Sequence, residues 1–125
     1  LLYLDDEAQL TRAAKRLLER LGYAVAAYLD PPEALAAFRA LPTAFDAVVL
    51  DFNMPEQSGI EVAAIMTGIR ADLPIVLLSG HFDGTLSGAA QAAGVKALLS
   101  KPYEVAALSN QLLALTKHTP RPAKP

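Results

Sequence analysis

The sequence predicts a single α/β domain built on a doubly wound, five-stranded parallel sheet. Three observations carry this expectation. Short apolar runs alternate with longer amphipathic ones from end to end, the rhythm of strand–helix–strand units. Ala47–Leu50 is continuously apolar, as in a strand covered by helices on both faces. A length of 125 residues with 53% hydrophobic content suits one domain with a core of its own. Right-handed crossovers restrict the topology, and strand order 2-1-3-4-5 is the common solution for five strands.

Each element has a local reason. Leu1–Leu4 is too short and too apolar for a surface helix and reads as the first strand. A helix from about Glu7 to Leu21 follows. Leu10, Ala14, Leu17 and Leu21 form its apolar stripe, Arg12, Lys15, Glu19 and Arg20 lie on its other faces, and Gly22 is placed to cap it in the left-handed region. Tyr23–Leu29, rich in valine, alanine and tyrosine, is the second strand. Asp30-Pro31-Pro32 supplies an N-cap and helix-starting prolines for Glu33–Ala40, which ends at Leu41-Pro42. Ala47–Leu50 is the third strand, Asp51–Gly59 a loop, and Ile60–Arg70 the third helix.

Leu73–Leu78 is the fourth strand, with Pro74 near its beginning. The stretch Ser79–Gly94 holds Gly80, Gly84, Gly88 and Gly94, so its helix, Thr85–Ala93, is expected to be the least stable. Val95–Leu99 is the fifth strand. The last helix starts near Tyr103 and buries Val105, Leu108, Leu112 and Leu115. Residues 1–116 form the expected domain, and 117–125, with three prolines, read as a proline-rich tail or linker.

Composition excludes several functions. The chain has no cysteine, which removes disulfides, thiolate metal sites and cysteine nucleophiles. Its net charge is −2 with no block of Lys or Arg, so no nucleic-acid surface is expected. No apolar run is long enough to cross a bilayer, and Leu1–Leu4 stops at Asp5-Asp6-Glu7, unlike a signal peptide. A cytoplasmic domain with no membrane partner is the expectation. The chain opens without methionine, which leaves open both a piece of a longer protein and missing first residues.

The polar residues sit where this topology gathers them. The first strand runs into Asp5 and Asp6, the third into Asp51, the fourth into Ser79 and the fifth into Lys101, so all five meet at one sheet edge. Three carboxylates this close repel one another, and a hard divalent cation relieves the repulsion. Magnesium fits best, with manganese as the alternative. Lys101 and Ser79 make the cluster suited to a phosphoryl group, whose negative charge spreads over three oxygens. Asp51, after a fully buried strand, is the favoured nucleophile.

Leu4-Asp5-Asp6-Glu7, Val49-Leu50-Asp51-Phe52-Asn53-Met54-Pro55, Ser58-Gly59, Leu78-Ser79-Gly80 and Ser100-Lys101-Pro102 together resemble the receiver domains of two-component response regulators. The resemblance spans about Leu1 to Thr116 with the motifs in order, and it implies a flavodoxin-like three-layer sandwich. It implies that Asp51 is the phosphoacceptor, that Asp6 binds magnesium directly and Asp5 through water, and that Asn53 lends a backbone carbonyl. It further implies that Ser79 and Lys101 contact the phosphoryl group and that Lys101-Pro102 is a cis peptide. The implied donor is a phosphohistidine on a sensor histidine kinase or phosphotransfer protein. The implied switch surface comprises the fourth helix, fifth strand and fifth helix. A stand-alone receiver, a homodimer and a hybrid sensor kinase as parent chain all stay open, the last slightly favoured, by resemblance, by the short proline-rich end and the Leu78-Ser79-Gly80 loop.

Leu98 stands where receivers usually carry Tyr or Phe, so movement after Ser79 is expected without a ring flip. The resemblance also implies that Asn53 and His81 line the path of the water attacking the acyl phosphate, so that His81 tunes dephosphorylation; an exposed loop histidine is the plainer explanation. His118 is expected to be uninvolved. Singly, the motifs have plainer explanations: Asp5 or Asp6 as a helix cap, Lys101-Pro102 as a turn, Ser79-Gly80 as a loop. A phosphohydrolase is the enzyme-class rival, but Asn53 stands where such enzymes want a second acid. A flavin-binding module is weaker, because the acidic loop after the first strand repels a phosphate. A receiver-like interaction domain without phosphorylation is the remaining rival. On the favoured expectation the domain is not an enzyme and assists only its own phosphorylation and dephosphorylation.

Overall fold

Strands and helices alternate along the described residues of the structure, a computed structural model that describes 1–54, 57–80, 83–101, 103 and 105–116. The order is β1 (Leu2–Leu4), α1 (Ala8–Arg20), β2 (Ala26–Tyr28), α2 (Pro31–Ala40), β3 (Val48–Asp51), α3 (Gly59–Ile69), β4 (Ile75–Ser79), α4 (Gly84–Ala92), β5 (Ala97–Ser100) and α5 (Val105–Thr116). The strands form one parallel sheet in the order β2-β1-β3-β4-β5, as the sequence predicts. Leu4 pairs with Leu50, Asp51 with Leu78, and Ser79 with Ser100. These pairings bring the carboxyl ends of the four strands β1, β3, β4 and β5 to one edge.

Alternation along each strand divides the core into two layers. Leu2, Leu4, Val48, Leu50, Ile75 and Leu77 pack with Phe38, Val62 and Met66 from α2 and α3. On the other face Tyr3, Val49, Val76 and Leu78 pack with Ala14 and Leu18 of α1 and Leu108 and Leu112 of α5. Each large side chain fully withdrawn from water contributes about 1.5–3 kcal/mol.

The helix ends are made by the residues the sequence marks out. Gly22, at φ 102°, follows α1 in the left-handed region. Its N–H donates to Glu19 O at 3.1 Å and the Tyr23 N–H to Leu18 O at 3.1 Å, closing the carbonyls a helix end leaves open. Asp30 caps α2 by accepting from the Glu33 N–H at 2.9 Å. Ser58 and Glu61 form a reciprocal capping box on α3, a pattern the motif reading passed over.

One expected stripe is corrected. Leu10, Leu17 and Leu21 are exposed (51%, 42% and 44%), and α1 instead turns Thr11, Ala14 and Leu18 to the sheet. Spacing alone did not separate the two stripes, because Leu17 and Leu18 are adjacent. The buried stripe carries small residues at Thr11 and Ala14, which let the helix lie close to β1, and the Thr11 hydroxyl donates to the Asp5 carbonyl at 3.0 Å. In α5, Ser109 is buried beside Leu108 and Leu112, while Val105 and Leu115 are only partly covered.

Candidate functional site

Each polar residue at the sheet edge is held by its strand. Asp5 follows β1 and is 1% exposed; one carboxylate oxygen accepts from the Glu7 N–H at 3.0 Å. This position just ahead of α1 partly satisfies the plain capping explanation, although the N-cap itself is Glu7. Asp51 ends β3 and is 2% exposed. Asp6 is exposed, so the group opens to solvent on its side. The three carboxylates present oxygens that all lie within 4.8 Å of one another.

Lys101 enters this acidic group from beyond β5. Its main-chain N–H donates to Ser79 O at 2.8 Å, which fixes the lysine backbone against the end of β4. Its Nζ lies 2.6 Å from Asp51 Oδ1 and 3.4 Å from Asp5 Oδ2. The first contact is a close ion pair, and among the described residues Asp51 Oδ1 has no hydrogen-bond partner besides this ammonium. Ser79 is buried at the end of β4, one residue past the Leu78 that pairs with Asp51. Asn53 lies two positions beyond Asp51 and is exposed.

Burial sets the electrostatics. It pushes the Asp51 carboxyl up to about 6 against the opposing pull of Lys101, and the Asp5 charge pushes the same way. Asp5 is also raised, again by burial first, with the Glu7 N–H and Lys101 opposing. Burial alone would lower Lys101, but its Asp51 contact and the two carboxylate charges outweigh that and raise it. One ammonium thus balances part of the charge of three carboxylates. Such an arrangement attracts a cation and can then seat an anionic group beside it.

The loop after Asp51 is tied back, the Gly59 N–H donating to Phe52 O at 3.0 Å. A Cβ at Gly59 would fall 2.4 Å from the Asp51 carbonyl oxygen, so the α3 start presses on the main chain of the central aspartate. Leu98 is partly buried on the α4 side of β5, beside a groove of about 530 Å³ lined also by Ser87 and Ala90. Pro102, His81, His118, Pro55 and the tail 117–125 lie outside the described residues.

The response regulator receiver domain family matches residues 1–113. The chain belongs to this family. It is 31% identical over 122 residues to the transcriptional regulatory protein FixJ of Bradyrhizobium diazoefficiens, covering 98% of this chain and 57% of that protein. It is 32% identical over 116 residues to the transcriptional regulatory protein PrrA of Mycobacterium tuberculosis, covering 93% of this chain and 49% of that one. This receiver domain therefore spans about half the length of those curated relatives. Among solved structures, a receiver domain protein from Clostridium thermocellum superposes with a TM-score of 0.87 at 28% identity, covering 93% and 92% of the two chains. The Vibrio cholerae chemotaxis protein CheY4 does so with 0.85 at 26%, covering 91% and 95%. The flavodoxin-like fold expected from the sequence is the fold these relatives share. Among the described residues no helix is long and apolar enough to cross a membrane.

Two residues near the site escaped the motif reading. Tyr3 in β1 and Tyr103 after Lys101 join hydroxyl to hydroxyl. The available signal was a tyrosine set among leucines in Leu1-Leu2-Tyr3-Leu4, since a buried phenol needs a partner.

Proposed function

We propose that this receiver domain accepts a phosphoryl group on Asp51 from a phosphohistidine of a sensor histidine kinase or phosphotransfer protein. Magnesium, or manganese in its place, would be held by Asp5, Asp6, Asp51 and the Asn53 carbonyl. The observation that carries this reading is the gathering of three carboxylates within 4.8 Å of one another, with the Lys101 ammonium 2.6 Å from Asp51. The donor set fits the ion: hard oxygen ligands, one of them Asp51 Oδ1, which among the described residues has no partner besides the Lys101 ammonium.

The chain's own groups divide the work. Asp51, with its carboxyl near 6, is mostly ionised at neutral pH and offers an oxygen as nucleophile. Its O–P bond forms as the donor's N–P bond breaks, the electron pair returning to the imidazole. Lys101 exchanges its carboxylate partner for a phosphoryl oxygen, and the Ser79 hydroxyl donates to another. The bound cation supplies charge neutralisation on the phosphoryl oxygens. The domain is itself the acceptor, so it assists its own phosphorylation and dephosphorylation rather than turning over a substrate.

The new group adds a charge of about −1.5 to −2 at the sheet edge. Lys101 belongs to the β5–α5 connection and Ser79 precedes α4, so their displacement reaches the α4, β5 and α5 surface. Coupling of this kind is typically worth about 1–3 kcal/mol, enough to shift a population. A cytoplasmic location and a domain ending near residue 116, with 117–125 as a proline-rich tail or linker, complete the reading.

The test is incubation with magnesium and acetyl phosphate followed by intact-mass measurement. A single phosphoryl adduct is expected, absent with EDTA and absent in Asp51→Ala. An adduct that persists in Asp51→Ala would move the acceptor elsewhere. No adduct in the wild type, from acetyl phosphate or from a histidine kinase, would refute the proposal.

A further inference from the structure

Behind the carboxylates, the Tyr3 and Tyr103 hydroxyls are hydrogen-bonded across 100 residues of chain. Tyr3 is 1% exposed in the central strand β1, two residues before Asp5. A leucine would fill that place without a polar atom, as Leu2 and Leu4 do beside it. A buried hydroxyl costs free energy unless it is partnered, and Tyr103 supplies the partner. Tyr103 follows Lys101 by two positions and precedes α5 by two. The pair therefore fastens a fixed strand to the connection that carries the lysine at one end and the fifth helix at the other.

The pair borders open space. A cleft of about 310 Å³ opens between α1 and α5, lined by Tyr3, Asp5, Lys101 and Tyr103 together with Leu10 and Leu17. Both phenols, the ammonium and a carboxylate thus border one cavity. Leu98 lies on the opposite face of the sheet, packed with the α2–α3 layer, and carries no ring. The aromatic link between the site and a helix is on the α1–α5 side.

We propose that Tyr3 and Tyr103 form a clamp that positions Lys101 on Asp51 and passes a change of the lysine's partner to the first turn of α5. Tyr3 is the anchor and Tyr103 the half that moves. This inference rests on the phosphoacceptor reading for its effect on phosphoryl uptake. Neither tyrosine touches the reacting atoms; both act through Lys101.

Tyr3→Phe, Tyr103→Phe and the double variant test the clamp in the whole chain, with Tyr23→Phe as control. Tyr23 also bonds α5, its hydroxyl lying 3.3 Å from Ser109 Oγ, but away from the lysine. Each clamp variant is expected to take up phosphoryl from acetyl phosphate about three- to tenfold more slowly, the worth of one hydrogen bond. The double variant should be no slower than either single one, because both remove the same contact. Tyr23→Phe should match the wild type. A second readout is independent of turnover. With no tryptophan and four tyrosines in the chain, magnesium plus beryllofluoride should change tyrosine emission in the wild type and leave it flat in both clamp variants. Amide exchange at residues 105–108 should respond in parallel.

Uptake at the wild-type rate in Tyr3→Phe and Tyr103→Phe would overturn the clamp while leaving the acceptor reading intact, and so would additive effects in the double variant. A wild type that takes up no phosphoryl group sinks both. If Tyr3→Phe fails to fold, Tyr103→Phe, at a partly exposed position, still decides.

Discussion

Replacing the central aspartate should stabilise the metal-free domain at neutral pH, although it removes the proposed phosphoacceptor. In the folded chain Asp51 is buried with two other carboxylates, and its pKa rises from the ordinary 3.8 to about 6. At about 1.4 kcal/mol for each tenfold change in proton affinity, the ionised form costs the native state up to about 3 kcal/mol. The sign follows from the raised value. The native state holds this proton more tightly than the unfolded chain, so the stabilisation is complete below about pH 4 and is lost as pH rises through about 6. Asp51→Asn removes the ionisation and keeps the shape. Lys101 loses one partner but retains Asp5 at 3.4 Å, which limits the offset. In EDTA at pH 7.5, urea unfolding should show a gain of about 1–3 kcal/mol. The wild type's decline in stability between pH 4 and 7 should flatten in the variant without vanishing, since Asp5 is raised as well. Magnesium at ten times its dissociation constant should return about 1.4 kcal/mol to the wild type and less to the variant. An Asp51→Asn variant less stable than the wild type in EDTA at pH 7.5, or one with an unchanged pH slope, would refute the picture of a charge-crowded resting site.

Two glycines should respond in opposite directions. Gly59→Ala places a methyl 2.4 Å from the Asp51 carbonyl oxygen and 2.7 Å from Leu77 Cδ1, with main chain on one side that cannot yield. A loss of about 1–3 kcal/mol is expected in urea unfolding, together with slower phosphoryl uptake as Asp51 is displaced; unchanged stability would contradict the close approach. Gly88→Ala, inside α4 where a Cβ meets nothing within 4 Å, should gain about 0.5–1 kcal/mol and raise amide-exchange protection across Gly84–Ala92; no gain would mean that α4 is not limited by its glycines.

Most of the site was legible because it is written at strand ends. A parallel sheet brings its carboxyl termini together whatever the loops do, so Asp5, Asp51, Ser79 and Lys101 could be assigned to one edge from strand order alone. The strand–helix alternation was equally plain, since buried strands as apolar as Ala47–Leu50 leave little choice. Which face of α1 turns inward was not legible. Leu10, Leu17 and Leu21 fit the helical period as well as Thr11, Ala14 and Leu18 do, and the choice lies in how close the helix must approach β1. Nor could the partner of Tyr3 be read, because its hydroxyl is answered from the far end of the chain.

The same features that make the site readable make it costly at rest. A folded chain rarely withdraws two carboxylates from water with a third beside them and, among the described residues, a single ammonium to balance them, because each group disfavours the charge of the next. Here two of the three are nearly inaccessible, and their pKa values are raised rather than lowered. The crowding is held in place by the rigid part of the molecule: β1 and β3 are central strands whose side chains fill both core layers. The cation-like partner comes instead from the sheet's outer edge, where β5 is only partly buried. A ligand that supplies positive charge, or gives Lys101 a better acceptor, therefore meets buried carboxylates carried by interior strands and a partly exposed lysine at the sheet's edge. On the proposed phosphoacceptor reading, relieving the crowding should act on that edge, so Lys101, and with it Tyr103, is where a change at Asp51 should first be felt.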